Sequence, residues 1–172
     1  MAGPARSRIK GGVIKARLEF VRERAGEAGL EAVLARPLEV NLRLDDAIAA
    51  VLSPGDRDRI FVEMGRASAD SNLAGPQRAY LREGDPHFLL RATPQIYSAY
   101  YQVGRRTYQR TGETLAVLRT YDAEDITRTD CLTVVGWHQR AIELCGGKAV
   151  RVAENRCRTR GDPHCEYHCG WT

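Results

Sequence analysis

The chain has 172 residues, 43% apolar and 28% charged, which suits one compact domain with a sizeable core and excludes collagen-like, disordered and coiled-coil classes. Its longest apolar run, Ala47 to Leu52, is six residues, far short of the roughly 20 that a membrane-spanning helix needs. Net charge is +4, but five cations in residues 1–17 stand there without an acid, so the rest sums to −1 and offers no basic surface for nucleic acid.

Residues 1–8 read as a disordered basic tail: Met1 to Ser7 lack the apolar segment and cleavage site of a signal peptide, and the expected location is cytoplasmic. Ile9 to Lys15 is β-prone around Gly11-Gly12. Leu18, Val21 and Arg22 then open a short helix weakened by Gly26 and Gly29, and Leu30, Val33 and Leu34 begin another that Pro37 stops. From Arg43, Leu44, Ile48, Val51 and Leu52 recur at helical spacing, with Asp45 and Asp46 in the first turn where the helix dipole favours acids. A further amphipathic helix is predicted over 56–72, with Ile60, Phe61, Met64 and Ala67 inward, followed by a short helix over 73–83. Asp85 then serves as N-cap with Pro86 in first helical position, and Pro94 should bend or break that helix before Tyr97, Tyr100 and Tyr101.

Thr107 to Tyr121 alternates around Thr111-Gly112 and reads as a hairpin. Helical spacing returns over 125–144 and ends at Gly146-Gly147, and residues 149–158 and 164–171 are strands joined across Gly161. Helices first, then strands with one long helix between them, predict an α+β fold: helices packed on a twisted antiparallel sheet, in one domain spanning 9–172.

All five cysteines, Cys131, Cys145, Cys157, Cys165 and Cys169, fall in the C-terminal quarter, and an odd number cannot pair among themselves. A turn centred on Gly161 sets Cys157 opposite Cys165, since each lies four residues from it. Opposed Cβ atoms are about 5 Å apart, a spacing that a tetrahedral zinc with Zn–S of about 2.3 Å can bridge. Spacing leaves the remaining ligands open among Cys131, Cys145, Glu154, His164, His168 and Cys169.

The residues Cys131-x4-Gly136, Gly147, Glu154, Cys157, Arg158, Gly161-Asp162, His164 and Cys165 together resemble the C-terminal motif of the 4-vinyl reductase-type small-molecule-binding domain, which also forms the sensor of phenol-responsive transcription activators. The resemblance implies a structural zinc held by Cys131, Glu154, Cys157 and Cys165. The chain as a whole is similar to a paralogous family expanded in myxobacteria, through Ile9-Lys10-Gly11-Gly12, Phe20-Val21, Glu63-Met64-Gly65-Arg66, Tyr100-Tyr101, Gly136-Trp137 and Arg156-Cys157-Arg158. That likeness carries over no activity. It implies the fold group that unites vinyl reductases, haem-nitric-oxide sensors and vesicle-tethering subunits.

A physical condition attaches to the ligand set. Glu154 and Cys157, three apart, face opposite sides of a regular strand, so both reach one ion only if a bulge lies near Asn155 or Arg156; in a regular strand Cys145 or His164 takes the place of Glu154. Four protein ligands leave no open coordination position, which is the pattern of a structural site.

Phosphate loops, nucleophile elbows and zinc-protease motifs are missing from the sequence, so no enzymatic activity is expected. His138 sits on an apolar helix stripe and reads as core, and His87 as a capping or exposed residue. Tyr97, Tyr101 and Trp137, with Tyr100, Tyr108 and Phe88, could wall a pocket for a small apolar or aromatic ligand or serve simply as core. The expectation is therefore a signalling sensor with a structural zinc, with two alternatives: a protein-interaction adaptor without ligand, or an accessory factor in tetrapyrrole reduction. Apolar surface on the first helices would pair two chains as a homodimer or take a protein partner.

Overall fold

The computed structural model describes residues 11–36, 41–75, 77–123 and 126–172. Its elements are α1 (Gly11–Leu34), α2 (Asn41–Leu52), α3 (Arg57–Ala74), α4 (Pro86–Tyr100), β1 (Arg105–Arg110), β2 (Leu115–Tyr121), α5 (Arg128–Leu144), β3 (Arg151–Arg156) and β4 (Cys165–Gly170). The four strands form one antiparallel sheet in the order β1-β2-β4-β3. This is the α+β architecture that the order of periodicities implies. The basic tail, Ile9-Lys10 and Pro37 lie outside the described residues.

The segment read as a β-strand, Ile9 to Lys15, is corrected: from Gly11 onward it is helical. Val13, Ala16, Arg17, Phe20 and Val21 form an i, i+3, i+4, i+7, i+8 stripe whose last four members are buried, and that period outweighs the local β-propensity of Ile14. The two short helices expected between 18 and 34 are present as the two halves of α1, which meet at a kink at Gly26, whose φ of 64° and ψ of −166° leave the helical region. Of the short helix expected over 73–83, Leu73 and Ala74 belong to the end of α3, and a single 3-10 turn covers Arg78–Tyr80.

Local capping signals act as written in the sequence. Asp56 accepts a hydrogen bond from the Arg59 amide, and Asp85 accepts one from the Phe88 amide. The break expected at Pro94 does not occur, and α4 runs on to Tyr100. Pro94 cannot donate to the Leu90 carbonyl, but the Thr93 hydroxyl does so at 2.8 Å, satisfying the acceptor that the proline would leave open. Thr93→Val, an exchange that keeps shape at a position 1% exposed, is therefore expected to cost about 1–2 kcal/mol in urea unfolding; an unchanged midpoint would show that the carbonyl finds another donor.

The core has two parts joined by α3. Phe20, Val21, Ile48, Phe61 and Met64 pack α1, α2 and α3 together, while Leu73, Leu89, Leu118, Ile142 and Tyr167 fill the space between the sheet and its helices. Phe20, Val21, Leu44 and Ile48 of α1 and α2 are thus buried within one chain, while Leu34 of α1 stays exposed. Asp45, assigned to a first helical turn, instead lies in the second turn of α2, buried against Arg17 of α1, with Nη2 donating to Oδ2 at 2.8 Å. His87 is corrected as well: it is 5% exposed and held between the Glu113 carbonyl (2.7 Å), the Tyr108 hydroxyl (2.8 Å) and the Trp171 ring. His138 is core, as its stripe implies, and burial lowers its pKa well below the usual imidazole value.

α3 and α5 cross with their backbones in contact. A Cβ on Gly65 would collide with the carbonyl oxygen of Thr133, and one on Gly136 with that of Val62. Only glycine at both positions allows this approach, and it sets where α5 presents its side chains.

Candidate functional site

Two constellations share α5, one at its first turn and one along its flank. The first turn is held by a capping box: the Asp130 carboxylate accepts from the Thr127 amide at 2.9 Å, and the Thr127 hydroxyl accepts from the Asp130 amide. Cys131 follows directly, with its sulfur 3.4 Å from Cys157 Sγ and 3.9 Å from Cys165 Sγ. These three sulfurs and a carboxylate oxygen of Glu154 lie within 4.8 Å of one another. The cysteines are free thiols, each at most 2% exposed.

Glu154 and Cys157 reach the same point because the β3–β4 ladder shifts register between Glu154 and Arg156, leaving Asn155 without a partner. That bulge stands where the spacing argument required one. Beyond it, the Cys157 amide donates to the Asp162 carboxylate at 2.8 Å, and Gly161, at φ 90°, closes the turn back to Cys165. The Glu154 Oε1 atom is buried and has no hydrogen-bond partner among the described residues, while Oε2 lies 3.6 Å from the Arg160 guanidinium. Cys145 caps the opposite end of α5, and His164 turns to Glu166 (3.6 Å) and the Tyr121 ring, so neither joins the cluster. His168 also binds Glu166, at 2.8 Å.

The cluster divides its protons unequally. The hydrogen bond from the Cys131 thiol, helped by the Arg158 amide, pulls the Cys165 pKa down to about 6 against the effect of burial. The same bond pushes the Cys131 pKa up, and burial raises that of Cys157. A tetrahedral ion with a metal–sulfur bond of about 2.3 Å needs sulfurs about 3.8 Å apart, close to the distances present.

The second constellation is a cavity of about 80 Å³ between α1, α3, α4 and α5. Tyr97, Tyr100, Tyr101 and Trp137 wall it, with Arg17 and Arg106 as its cations. Tyr97 and Tyr101 stack with ring centroids 4.7 Å apart, and the Tyr97 hydroxyl donates to the Val103 carbonyl at 2.9 Å. Tyr101 keeps 37% of its surface exposed, which places it at the mouth. Tyr108 and Phe88 are elsewhere, the first bonded to His87 and the second beneath the Arg82 guanidinium. The sequence reading missed Arg17, Asp45 and Arg106. Arg17 left one signal, a cation at a buried position of an apolar stripe, which needs a counter-charge.

No family model matches the chain, and no curated protein matches it. Among solved structures, an H-NOX protein from S. oneidensis in the Fe(II)NO ligation state is 13% identical with a TM-score of 0.74, covering 95% of this chain and 99% of that one. A Fe(II) unliganded H-NOX mutant from K. algicida is 9% identical, with a TM-score of 0.68 and coverage of 95% and 97%. A structure concerned with haem distortion in the H-NOX family is 10% identical, with a TM-score of 0.70 and 95% of each chain covered. The chain has the H-NOX fold. This is the haem-nitric-oxide-sensor side of the fold group implied by the resemblance; the vinyl reductase side finds no support among these proteins.

The H-NOX neighbours correct the expected cofactor. The metal in their descriptions is iron and the group is haem, so structural zinc has no warrant from the fold. The donor set does not restore it, because three thiols and a carboxylate accept any of several thiophilic ions. What stands at Cys131, Glu154, Cys157 and Cys165 is a buried convergence of donors.

Proposed function

We propose that the chain is a non-enzymatic sensor domain whose cavity takes an apolar or aromatic molecule of one ring or less, and whose Cys131–Glu154–Cys157–Cys165 cluster ligates a thiophilic metal ion. The observation that carries this reading is a cavity walled by three tyrosines and Trp137. Occupancy acts on α5, which supplies Trp137 to the wall and Cys131 to the cluster. A ligand pressing on that helix works against an anchor at its first turn. Kinship in fold with proteins whose activation has been studied structurally supports a switching role.

Haem does not fit this cavity. About 80 Å³ is well below the roughly 300 Å³ where pockets for drug-sized ligands begin. The wall also lacks the His, Cys or Met that commonly ligates haem iron. The same size argument weighs against a tetrapyrrole accessory role. The adaptor reading is disfavoured by the presence of the cavity; of the exposed large apolar residues, Tyr101 and Val103 are neighbours at the cavity's edge, and Leu34 and Leu115 lie in other elements.

Titration with phenol or benzyl alcohol tests the proposal. Trp171→Phe leaves Trp137 as the one indole reporter, and saturation is expected to change its fluorescence and raise the melting temperature by about 5–10 °C at a hundredfold excess over Kd. Non-saturating fluorescence together with an unmoved melting temperature would overturn it.

A further inference from the structure

We infer that the molecule taken by this cavity is a small organic anion, of the one-ring carboxylate class, and that Arg106 recognises its charge. The inference rests on the ligand-pocket reading above and adds the sign of the ligand and the residue that selects it.

The two cations of the wall are in different states. Arg17 is neutralised by Asp45, and those side chains are 10% and 2% exposed. Arg106 has no carboxylate within 4.0 Å among the described residues; its Nε donates to the neutral Thr120 hydroxyl at 3.1 Å, and its central carbon stands 5.0 Å from the Tyr97 ring centroid. Thr120 and the Tyr97 face therefore hold the guanidinium in place while four of its five N–H donors stay uncommitted to described residues. Among the described residues the other acid near this wall, Asp130, is turned to Thr127 at 2.9 and 2.8 Å. With the Arg17 charge cancelled, the lining carries one net positive charge, half-buried beside aromatic rings. A half-buried guanidinium with no carboxylate partner among the described residues gains charge-assisted hydrogen bonds from a bound carboxylate. The stacked Tyr97 and Tyr101 would then face the ring of such a ligand.

Benzoate and benzyl alcohol are near-isosteres that differ in charge, and both can be titrated into the Trp171→Phe chain at neutral pH and fixed ionic strength. Benzoate is expected to bind at least tenfold more tightly. Arg106→Gln should bring the ratio of benzoate to benzyl alcohol affinity down to about one, and Arg106→Lys should retain a smaller preference, keeping the charge without the fork. Equal or weaker binding of benzoate, or a preference that survives Arg106→Gln, overturns the inference and leaves the pocket standing. Failure of both probes to bind overturns the pocket reading along with it. Should Arg106→Gln not fold by circular dichroism, the two-ligand comparison in the parent chain and in Arg106→Lys decides.

Discussion

Replacing Gly136 with alanine is expected to lower the melting temperature by about 10 °C or to abolish folding. The added methyl meets the Val62 carbonyl oxygen, and that carbonyl belongs to the middle of α3, so no flexible side chain can move aside. Overpacking against side chains costs about 1–3 kcal/mol; a clash of backbone against backbone should reach about 3 kcal/mol or more, worth roughly 2–4 °C each in a domain of this size. Gly65→Ala strikes the Thr133 carbonyl at the same crossing. Once one alanine has pried the helices apart the second costs little, so the double variant should fall short of the sum. Gly55→Ala is the control: nothing lies within 4 Å of its added carbon. Thermal unfolding of the four chains decides the matter, and a Gly136→Ala melt within 2 °C of the parent, roughly 1 kcal/mol, would show that the helices do not meet as described. Because α5 also carries Trp137 and Val134 into the cavity wall, any folded Gly136→Ala should bind ligand more weakly.

Adding cobalt(II) to the reduced chain is expected to give thiolate-to-cobalt charge-transfer absorption and raise the melting temperature by about 10 °C. A metal present at a thousandfold excess over its Kd stabilises by about 4 kcal/mol, and roughly 2–4 °C per kcal/mol gives that shift. Cys157→Ser should remove both signals. Glu154→Gln should keep the sulfur-based absorption but weaken binding, and Cys145→Ser, at the far end of α5, should leave the spectrum unchanged. Affinity should fall as pH falls, because the ion competes with protons for three thiols. Cys165 is already inclined to the thiolate, whereas the raised values at Cys131 and Cys157 make those protons the costly ones to release. A colourless protein with an unmoved melting temperature would sink the metal-ligating reading of the cluster.

Local signals and short-range geometry were legible in the chain itself. Asp56 and Asp85 announce their helices, Thr111-Gly112 marks the hairpin of β1 and β2, and the turn at Gly161 sets Cys157 near Cys165. Each depends on neighbours within a few positions, so spacing suffices to find it. The bulge at Asn155 meets the condition under which two residues three apart face one point, where the sequence had left a regular strand as the alternative.

Tertiary structure decided everything that depends on partners distant in sequence. Helix 11–34 prevails over a β-prone opening because α2 and α3 cover its stripe, and α4 passes Pro94 unbroken because a threonine supplies the missing donor. The burial of Asp45 against Arg17, the glycine crossing and the seat of Arg106 on Thr120 join residues from 14 to 74 positions apart. The sequence alone thus determined the α+β order of elements, the hairpins and the nearness of Cys157 to Cys165, while Cys131 and Glu154 were named beside them by resemblance and not by spacing. Only the folded chain settled which cations are neutralised and how small the cavity is, because charge pairing and packing are set by atoms that chain order does not bring together.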